Sequence, residues 1–566
     1  MKVYEAIVKG LESIGVETAY GGNGENIASL AVALKHSRIR AIATRHEQAA
    51  AYMACGHAMF TQKLGVCYAT VGPGAFNLLT GLGVAMSDSY PVLAITGYIR
   101  LDWQGRGAVN DTSGLNRTPD SKAIFAATTK KSFIIENIED TCDILEQAVN
   151  IAFEGRPGPV HIHVPQNLTD RGVAMTNYRD IKLNVAPVAP DPAQVEVIAQ
   201  LLADALDGHR RAIILAGYGA VRSGAQEAMR RFVERFQIPL VTTLDGKGII
   251  AETHPLCAGV FHESGHSSAW KAFREADIVL AIGNSLSQHA TFGLREDLFD
   301  GKTLIQINIG ASEIGKFYPV QHGLVSDARL AIEAITQALE AKIGTVAPVQ
   351  VDARDYEHHK LLPRLGSIHP GKLAQMIGRH LPEDAVLLAD AGTHLAWMGY
   401  YVDLEAGQNF RKCGQFGPMA CHTNASIGVK LAQPERTVVV GCGDGCYSMA
   451  GFELMTAMQN EVPVIWVIFN DDEYKLVKVY QLAEYQDSAL VDFQNPDFAA
   501  YARACGADGY SVSSIEEFEE VFVKALASNR PTVIDAKISR WALPHYSTSP
   551  AGILAGVYEQ IEDRLR

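Results

Sequence analysis

Two acidic turns at the ends of apolar runs carry the residues best suited to chemistry. In the segment 441–474, GCGDGCYSMAGFELMTAMQNEVPVIWVIFNDDEY, the first turn contains Asp444 and the second contains Asp471 and Asp472. Each turn follows an apolar run rich in β-branched residues, which is typical of a buried strand. Because adjacent parallel strands end at the same edge of a sheet, the two turns are expected to lie side by side.

The residue types in these turns suit a metal and a phosphate. Gly443 and Gly445 permit a tight turn and close approach of a ligand, and a helix N-terminus at this place attracts anions. Carboxylate, carbonyl and phosphate oxygens are the ligands that Mg²⁺ prefers. Taken singly, the turns also fit an ordinary strand-to-helix turn and a helix N-cap; together they predict a magnesium-diphosphate site. The residues expected on the buried face of the following helix are Met449, Phe452, Leu454 and Met455.

The segment resembles the thiamine diphosphate motif of the acetolactate synthase and pyruvate oxidase superfamily, and the chain is identified as acetolactate synthase-like. The resemblance implies that Asp444, Asp471 and the backbone carbonyl of Glu473 bind Mg²⁺, with Tyr474 beside the cofactor. Many relatives have Asn where this chain has Asp471, and the additional negative charge still suits a divalent cation. The implied cofactors are therefore thiamine diphosphate and Mg²⁺.

The length and the alternation of helical and strand patterns predict three α/β domains. A chain of 566 residues exceeds one hydrophobic core, and alternating patterns favour parallel sheets with helices on both faces. The predicted linkers are a Pro- and Ala-rich stretch at 186–192 and a polar stretch at 352–366. The resemblance implies three doubly wound parallel-sheet domains: an N-terminal pyrimidine-binding domain at 1–185, a central domain at 193–345 and a C-terminal diphosphate-binding domain at 367–566.

The charge and the cysteine content limit the partners and the cellular compartment that the sequence predicts. The chain has 49 Lys and Arg against 63 Asp and Glu, a formal net charge of −14, without a basic block, which argues against nucleic acid or an anionic membrane as main partner. Nine scattered cysteines indicate buried thiols and a cytoplasmic protein. Cys442 and Cys446 flank the first turn, but packing explains them better than a metal site. No membrane span is expected, since no apolar run reaches about 18 residues.

The pyrimidine half of the expected site is centred on Glu47. The sequence RHEQ places Glu47 at the start of an Ala-rich helix, where the helix dipole alone would also favour a carboxylate. In the family, a Glu in this pattern hydrogen-bonds the aminopyrimidine ring and favours the tautomer that removes the thiazolium C2 proton, which implies a catalytic role for Glu47. The loop ATVGPGAFN matches the pyrimidine-contacting loop of the family, which implies cofactor contacts for Gly72, Pro73 and Asn77.

Two further segments are expected to complete the cofactor site. In ADAGTHLAW, Gly392, Thr393 and His394 begin a helix at a strand end, which is a suitable place for phosphate oxygens, although a lone His there also fits a capping role. FGPMACHTNA contains Gly417 and Met419. The resemblance implies that Met419 supports the bent cofactor, whereas a Met at an apolar helix start is otherwise a core residue.

The resemblance implies a thiamine diphosphate- and Mg-dependent 2-oxo acid decarboxylase and carboligase, in which an enamine from a 2-oxo acid such as pyruvate adds to a second carbonyl. Family members assemble the site between two chains, which implies a homodimer or homotetramer acting on small-molecule 2-oxo acids or aldehydes. The run at 283–293 lacks the Arg- and Asp-bearing pattern of flavin-containing relatives, so FAD is not expected. The candidate substrate contacts are Asn23, Asn110, Leu476 and Tyr480.

Two alternative functions stay open. A 2-hydroxyacyl-CoA lyase, or another C–C lyase on the same fold, would use the C-terminal tail at 540–556 as a lid. A non-catalytic, nucleotide-binding regulatory protein would use the glycines at 217–224, although isolated glycine patterns are weak evidence. The polar loop at 105–125 fits either a contact with a polar substrate or a solvated loop.

Overall fold

Three six-stranded parallel sheets form the framework of the chain. The computed structural model describes residues 1–170, 172–208, 210–354, 356 and 367–543. Helices cover both faces of each sheet, so most strands are buried along their whole length. The predicted fold class, α/β with three doubly wound parallel sheets, is confirmed.

The N-terminal sheet positions Glu47 and the pyrimidine loop. Its strands are β1 (Thr18–Gly21), β2 (Arg40–Ala43), β3 (Gly65–Ala69), β4 (Val92–Tyr98), β5 (Lys131–Ile134) and β6 (Val160–Pro165), in the order β2-β1-β3-β4-β6-β5. Its helices are α1 (Val3–Ser13), α2 (Ala28–Lys35), α3 (Glu47–Thr61), α4 (Pro73–Asn77), α5 (Leu79–Asp88), α6 (Ser121–Thr128) and α7 (Thr141–Phe153).

The central sheet has a core separate from the two sheets that flank it in sequence. Its strands are β7 (Ala212–Ala216), β8 (Leu240–Thr242), β9 (Cys257–Val260), β10 (Ile278–Ile282), β11 (Thr303–Asn308) and β12 (His322–Val325), in the order β12-β11-β10-β7-β8-β9. Its helices are α8 (Pro192–Asp207), α9 (Tyr218–Arg222), α10 (Gln226–Phe236), α11 (Ser267–Glu275) and α12 (Ala328–Glu340).

The C-terminal sheet carries both acidic turns. Its strands are β13 (Val386–Ala389), β14 (Asn409–Lys412), β15 (Val438–Gly443), β16 (Ile465–Asn470), β17 (Asp508–Val512) and β18 (Thr532–Lys537), in the order β14-β13-β15-β16-β18-β17. Its helices are α13 (Pro370–His380), α14 (Thr393–Tyr401), α15 (Cys421–Ala432), α16 (Asp444–Ala450), α17 (Leu454–Gln459), α18 (Lys475–Tyr485), α19 (Phe498–Ala504) and α20 (Ile515–Ala527).

The helix after the first acidic turn differs from the prediction. A short 3₁₀ turn, Gly451–Glu453, separates α16 from α17, and the break changes which side chains face the core. Leu454 is buried as predicted, but Met449, Phe452 and Met455 are 58%, 69% and 39% exposed. Buried positions are filled instead by smaller or polar-tipped side chains such as Cys446. The prediction of a buried face at these three residues was therefore wrong, and the exposed apolar surface needs another explanation.

Helices from the first and last domains approach each other at glycine positions. A Cβ atom added at Gly56 of α3 would lie 2.1 Å from the backbone oxygen of Ala425 in α15. One added at Gly428 of α15 would lie 2.0 Å from the backbone oxygen of Met53. Only glycine allows backbones to pack this closely, so the N- and C-terminal domains share one continuous core.

A buried arginine joins all three domains. Arg411 on β14 is 2% exposed, and it forms ion pairs with Asp88 of the N-terminal domain, at 3.4 Å, and with Asp245 of the central domain. Its guanidinium also lies 3.6 Å from the ring centroid of Tyr218. Because a buried charge is tolerated only when it is paired, this contact fixes the three sheets relative to one another.

The cysteines and the helix lengths agree with the expectations for this composition. All nine cysteines are free thiols, and eight of them are buried. The thiol of Cys446 lies 3.1 Å from the carbonyl oxygen of Ala391, a packing role as predicted. Within the described part of the chain, no helix combines the length and apolar character needed to cross a bilayer.

Candidate active site

The two acidic turns meet at one edge of the C-terminal sheet. Strand β15 ends at Gly443 and α16 begins at Asp444, while the neighbouring strand β16 ends at Asn470. The Asp444 carboxylate accepts hydrogen bonds from the backbone N–H groups of Gly445 and Asp472, each at 2.8 Å. Asp444 thereby connects both turns, as the parallel arrangement of the strands predicts.

Asn495 is a residue of this site that the sequence analysis did not identify. Its Nδ2 lies 2.8 Å from Asp444 Oδ2, 3.1 Å from Asn470 Oδ1 and 2.9 Å from Asp472 Oδ1. One amide with two N–H groups therefore serves three oxygen atoms from both turns. The sequence signal there, Asn-Pro-Asp before an apolar run, predicts only the start of α19, for which Asp497 is the N-cap.

Burial disfavours the ionised form of both predicted carboxylate ligands. It raises the pKa of Asp444 to about 6, although hydrogen bonds from Asn495 and the backbone oppose this effect. It also raises the pKa of Asp471, where the charge of Lys475 opposes the effect and that of Asp444 adds to it. Two buried carboxylates at one edge are stable in the ionised form only when a cation balances them.

Side chains alone do not complete a metal site at this edge. In the described ranges, no group of three or more His, Cys, Asp or Glu side chains is arranged to hold a metal ion. The backbone carbonyl of Glu473 and the oxygens of a phosphate ligand would have to supply further donors, since Mg²⁺ prefers six oxygens. The donor set therefore fits a cation bound jointly with a diphosphate.

A buried histidine near this edge has an unsatisfied nitrogen. His394, in the first turn of α14, is 3% exposed, and its Nε2 has no hydrogen-bond partner among the described residues. A Cβ atom added at Gly443 would lie 3.4 Å from its ring, and one added at Gly392 would lie 2.7 Å from it. Burial lowers the pKa of His394 to about 4, so the ring is neutral at pH 7. An unsatisfied buried polar group costs about 1–3 kcal/mol, and an anion bound beside the ring would favour its protonated form, in which Nε2–H can donate.

Three predicted cofactor contacts lie together beside the first turn. A Cβ atom added at Gly445 would lie 2.5 Å from the ring of Tyr474 and 2.9 Å from Cε of Met419. Gly417 and Ala420, both with positive φ, turn the chain around Met419 into α15. The structure therefore brings Gly445, Tyr474 and Met419 into contact distance, and only glycine fits between the two side chains.

The other half of the predicted site surrounds Glu47, the first residue of α3. Glu47 Oε2 accepts a hydrogen bond from Asn77 Nδ2 at 2.9 Å. The other oxygen, Oε1, lies beside two glycine loops, because added Cβ atoms at Gly22 and Gly74 would be 3.2 and 3.0 Å from it. The loop that contains Gly74 and the loop that contains Gly22 thus lie beside the same carboxylate.

Of the neighbouring candidates in the N-terminal domain, Gly72 is buried, whereas Pro73, Asn23 and Asn110 are exposed. Gly72 has a φ of 70°, and a Cβ atom added there would lie 3.0 Å from Cβ of Asn110, so this loop packs on the polar loop. Pro73 begins α4 with no N–H to satisfy. Asn23 is exposed and accepts a hydrogen bond from the N–H of Gly24 at 2.9 Å. Asn110 is also exposed.

The remaining substrate candidates lie at the surface of the single chain. Leu476 and Tyr480 lie on α18 and are about half exposed. The polar loop at 105–125 is held by the buried Asp111, which accepts hydrogen bonds from backbone N–H groups of the same loop. Most of the predicted lid at 540–556 lies outside the described residues, which end at 543.

The two halves of the site are separate groups within one chain. No hydrogen bond or ion pair between described residues joins the surroundings of Glu47 to those of Asp444. Close to Glu47, the buried Glu453 accepts hydrogen bonds from the N–H groups of Arg45 and His46 at 2.9 and 3.0 Å, and so ties the start of α3 to the C-terminal domain. The sequence analysis did not predict this role, although Glu453 lies within the segment 441–474.

Comparison with known proteins identifies the family. Three family descriptions match successive parts of the chain: thiamine pyrophosphate enzyme, N-terminal TPP binding domain, over 1–119; the central domain over 199–335; and the C-terminal TPP binding domain over 390–536. A probable acetolactate synthase large subunit of Methanocaldococcus jannaschii is 32% identical, over 99% of this chain and 96% of that protein. The chain belongs to the thiamine pyrophosphate enzyme family.

Other relatives of this thiamine pyrophosphate enzyme carry similar names. The acetolactate synthase large subunit of Corynebacterium glutamicum is 30% identical, over 94% of this chain and 86% of that protein. The large subunit of Escherichia coli acetolactate synthase isozyme 2 is 29% identical, over 94% of each chain. The predicted resemblance is therefore confirmed, and the protein is a thiamine pyrophosphate-dependent enzyme of the carboligase type. Glu47 and Asp444 fall in its N-terminal and C-terminal cofactor-binding domains, respectively.

Proposed function

We propose that this enzyme is a Mg²⁺-dependent 2-oxo acid carboligase with an acetolactate synthase-like reaction. The observation that carries the proposal is the connection of Asp444 to the turn at 470–473, beside the unsatisfied nitrogen of His394. Three relatives named as acetolactate synthases support carboligation. Bound thiamine diphosphate supplies a nucleophilic carbon and an electron acceptor, which allow a 2-oxo acid to lose CO₂ and transfer its acyl group to a second carbonyl.

In this proposal, the C-terminal half-site holds the metal and the diphosphate. The carboxylates of Asp444 and Asp471 and the carbonyl oxygen of Glu473 bind Mg²⁺, and Asn495 keeps Asp444 oriented between the two turns. A bound anionic diphosphate would favour the protonated ring of His394, whose Nε2–H can then donate to a diphosphate oxygen. Thr393 and Gly392 at the start of α14 leave room for the phosphate group.

In this proposal, the N-terminal half-site carries out the proton transfer. Asn77 donates a hydrogen bond to Glu47 Oε2, so the other carboxylate oxygen, Oε1, remains available to exchange a proton with a ring nitrogen of the ligand. The hydrogen bond strengthens once a ligand excludes water, because it then lies in a medium of low dielectric constant. Met419 would support the bent ligand from the C-terminal side, in contact distance of Gly445.

We also propose that the complete site forms between two chains, in a homodimer or homotetramer. Glu47 is only partly buried in the single chain. Apolar side chains near the acidic turns are exposed. They are Met449 on α16, Phe452 in the 3₁₀ turn after it, and Leu476 on α18. Exposed apolar surface next to an incomplete site is typical of an interface that a second copy covers.

FAD is not required in this proposal. A cavity of about 180 Å³ lies at the ends of β7 and β10, the place where a doubly wound domain binds a dinucleotide. The segment 283–293, however, lacks the Arg- and Asp-bearing pattern of flavin-containing relatives. The nearby glycines serve backbone packing, since the N–H of Gly219 donates to the carbonyl of Gly283 at 2.9 Å. The purified enzyme should lack flavin absorbance, and full activity without added FAD would support this part of the proposal.

The function is tested with purified protein, thiamine diphosphate, Mg²⁺ and pyruvate. We expect release of CO₂ together with acetolactate, and neither product from the Glu47→Gln variant. A panel of other 2-oxo acids and aldehydes then defines the donor and the acceptor. Cofactor binding without carboligation of any 2-oxo acid, but with cleavage of a 2-hydroxyacyl-CoA, would replace the proposal by the lyase function.

A further inference from the structure

Lys475 is a buried cation within the acidic site that neither the motif nor the fold explains. It is the first residue of α18 and is 6% exposed. Its Nζ lies 3.5 Å from Asp471 Oδ2 and also contacts the carboxylate of Glu473 and the carbonyl oxygen of Arg540. An ammonium group loses much of its hydration at such a place, so its position needs a compensating interaction.

The charges around Lys475 are distributed unequally. Glu473 has two other cations, Lys478 at 2.6 Å and Arg540 at 3.4 Å. Asp471, which is equally buried at 6% exposure, has Lys475 as its ion-pair partner and no other among the described residues. Removing Lys475 would therefore leave Glu473 paired but Asp471 unpaired.

We propose that Lys475 is a positioning residue that balances the charge of Asp471 at the diphosphate site. The inference rests on the proposed function, in which Asp471 is a Mg²⁺ ligand. An aspartate where many relatives have asparagine adds one negative charge beside an anionic diphosphate. The cation four residues later on the first turn of α18 cancels that charge, so the metal retains its net attraction for the diphosphate.

A double-mutant cycle on the intact protein tests the proposal. Thiamine diphosphate affinity is measured by calorimetry at saturating Mg²⁺ for the wild type, Lys475→Met, Asp471→Asn and the double variant. Lys475→Met should weaken binding by about tenfold or more, because the charge of Asp471 is then no longer cancelled and reduces the net attraction of the metal site for the diphosphate. The double variant should bind clearly more tightly than Lys475→Met, since the extra charge and its partner are both removed.

Lys478→Met is the matched control. Lys478 binds Glu473 and Asp492 but does not contact Asp471, so Asp471→Asn should not rescue any loss that it causes. Lys475→Arg keeps the charge, so it should bind thiamine diphosphate more tightly than Lys475→Met. Circular dichroism and thermal melting of the apoproteins verify that each variant is folded.

Additive effects in the cycle, or unchanged affinity in Lys475→Met, would overturn the inference about Lys475 but leave the proposed function intact. Failure of the wild type to bind thiamine diphosphate would overturn the proposed function together with it. The two failures are therefore distinguished by the wild-type titration, which does not depend on activity.

Discussion

Asn77 donates a hydrogen bond to Glu47 at 2.9 Å, from the end of α4 to the beginning of α3. One carboxylate oxygen of Glu47 is thus engaged by the protein before any ligand arrives, and the other faces the glycine loops. A carboxylate with one fixed oxygen has few orientations available. This arrangement would preorganise Glu47 for the proton transfer that the proposed function assigns to it.

Replacing Glu47 by Gln should separate cofactor binding from proton transfer. The amide is nearly isosteric and keeps a hydrogen-bonding oxygen, but it does not take up a proton. We expect thiamine diphosphate affinity to change little, while exchange of the cofactor C2 proton slows by about 10²- to 10⁴-fold. NMR of the exchange measures the effect, with Asn77→Ser as a milder control. Undiminished exchange would show that another group performs the transfer.

The raised pKa of Asp444 predicts how metal binding depends on pH. Folding raises this pKa from its ordinary value near 3.8 to about 6, so below about pH 6 the folded apoprotein holds a proton that Mg²⁺, in the proposed function, must displace. Apparent Mg²⁺ affinity should therefore rise with pH through about 6, with up to about a tenfold change per pH unit below that value, and the raised pKa of Asp471 should extend the rise above it. Melting temperature as a function of Mg²⁺ at saturating cofactor, recorded from pH 5 to 8, measures it.

The same shift has the opposite effect on the apoprotein. Because the pKa is raised by folding, the protonated group stabilises the folded state at low pH, and this contribution is lost as pH rises through about 6. Asp444→Asn should remove both effects. A metal affinity whose pH dependence is the same in this variant would show that other groups determine it.

Asn495→Ala should destabilise the apoprotein by about 1–3 kcal/mol, because three oxygen atoms lose their shared donor. Bound Mg²⁺ and cofactor should compensate part of the loss, so the variant needs more metal for the same melting temperature. Urea unfolding with and without ligands measures the difference. Asn460→Ala removes a single, partly exposed hydrogen bond to Thr456 and should cost less than about 1 kcal/mol. Equal losses in both variants would contradict a special role for Asn495.

Gly428→Ala should be among the most destabilising single-methyl changes in the chain. The added atom would lie 2.0 Å from the backbone oxygen of Met53, and relief requires α3 and α15 to move apart. We expect a loss of about 3 kcal/mol or more in the free energy of unfolding. Gly344→Ala, at a position with no atom within 4 Å, should be neutral or stabilising by less than about 1 kcal/mol. Similar stability of the two variants would contradict the close packing.

Sequence reasoning predicted the sheets and the acidic turns because both depend on local patterns. The apolar run before Asp444 and the one before Asp471 each specify a buried strand, and the parallel fold then places the strand ends together. The helix after Asp444 was predicted incorrectly at Met449 and Phe452. Apolar residues there do not face the core of their own chain, so periodicity alone could not reveal their environment.

The residues that sequence analysis missed are defined by long-range geometry. Asn495 reaches the first turn from a loop after α18, and Glu453 reaches backbone N–H groups of another domain. Lys475 reads as an ordinary charge at a helix start until its burial beside Asp471 is seen. Each contact depends on how distant segments are folded against one another, and no local spacing encodes it.

The position of Arg411 affects how this protein can be altered by recombination. Its partners Asp88 and Asp245 belong to two other domains, so a central domain transplanted from a relative must bring a matching acid at the junction. A chimera without that acid would leave the buried Arg411 with Asp88 as its remaining carboxylate partner. The three sheets resemble separate modules, yet the ion pairs of Arg411 mean that one domain cannot be exchanged without regard to the other two.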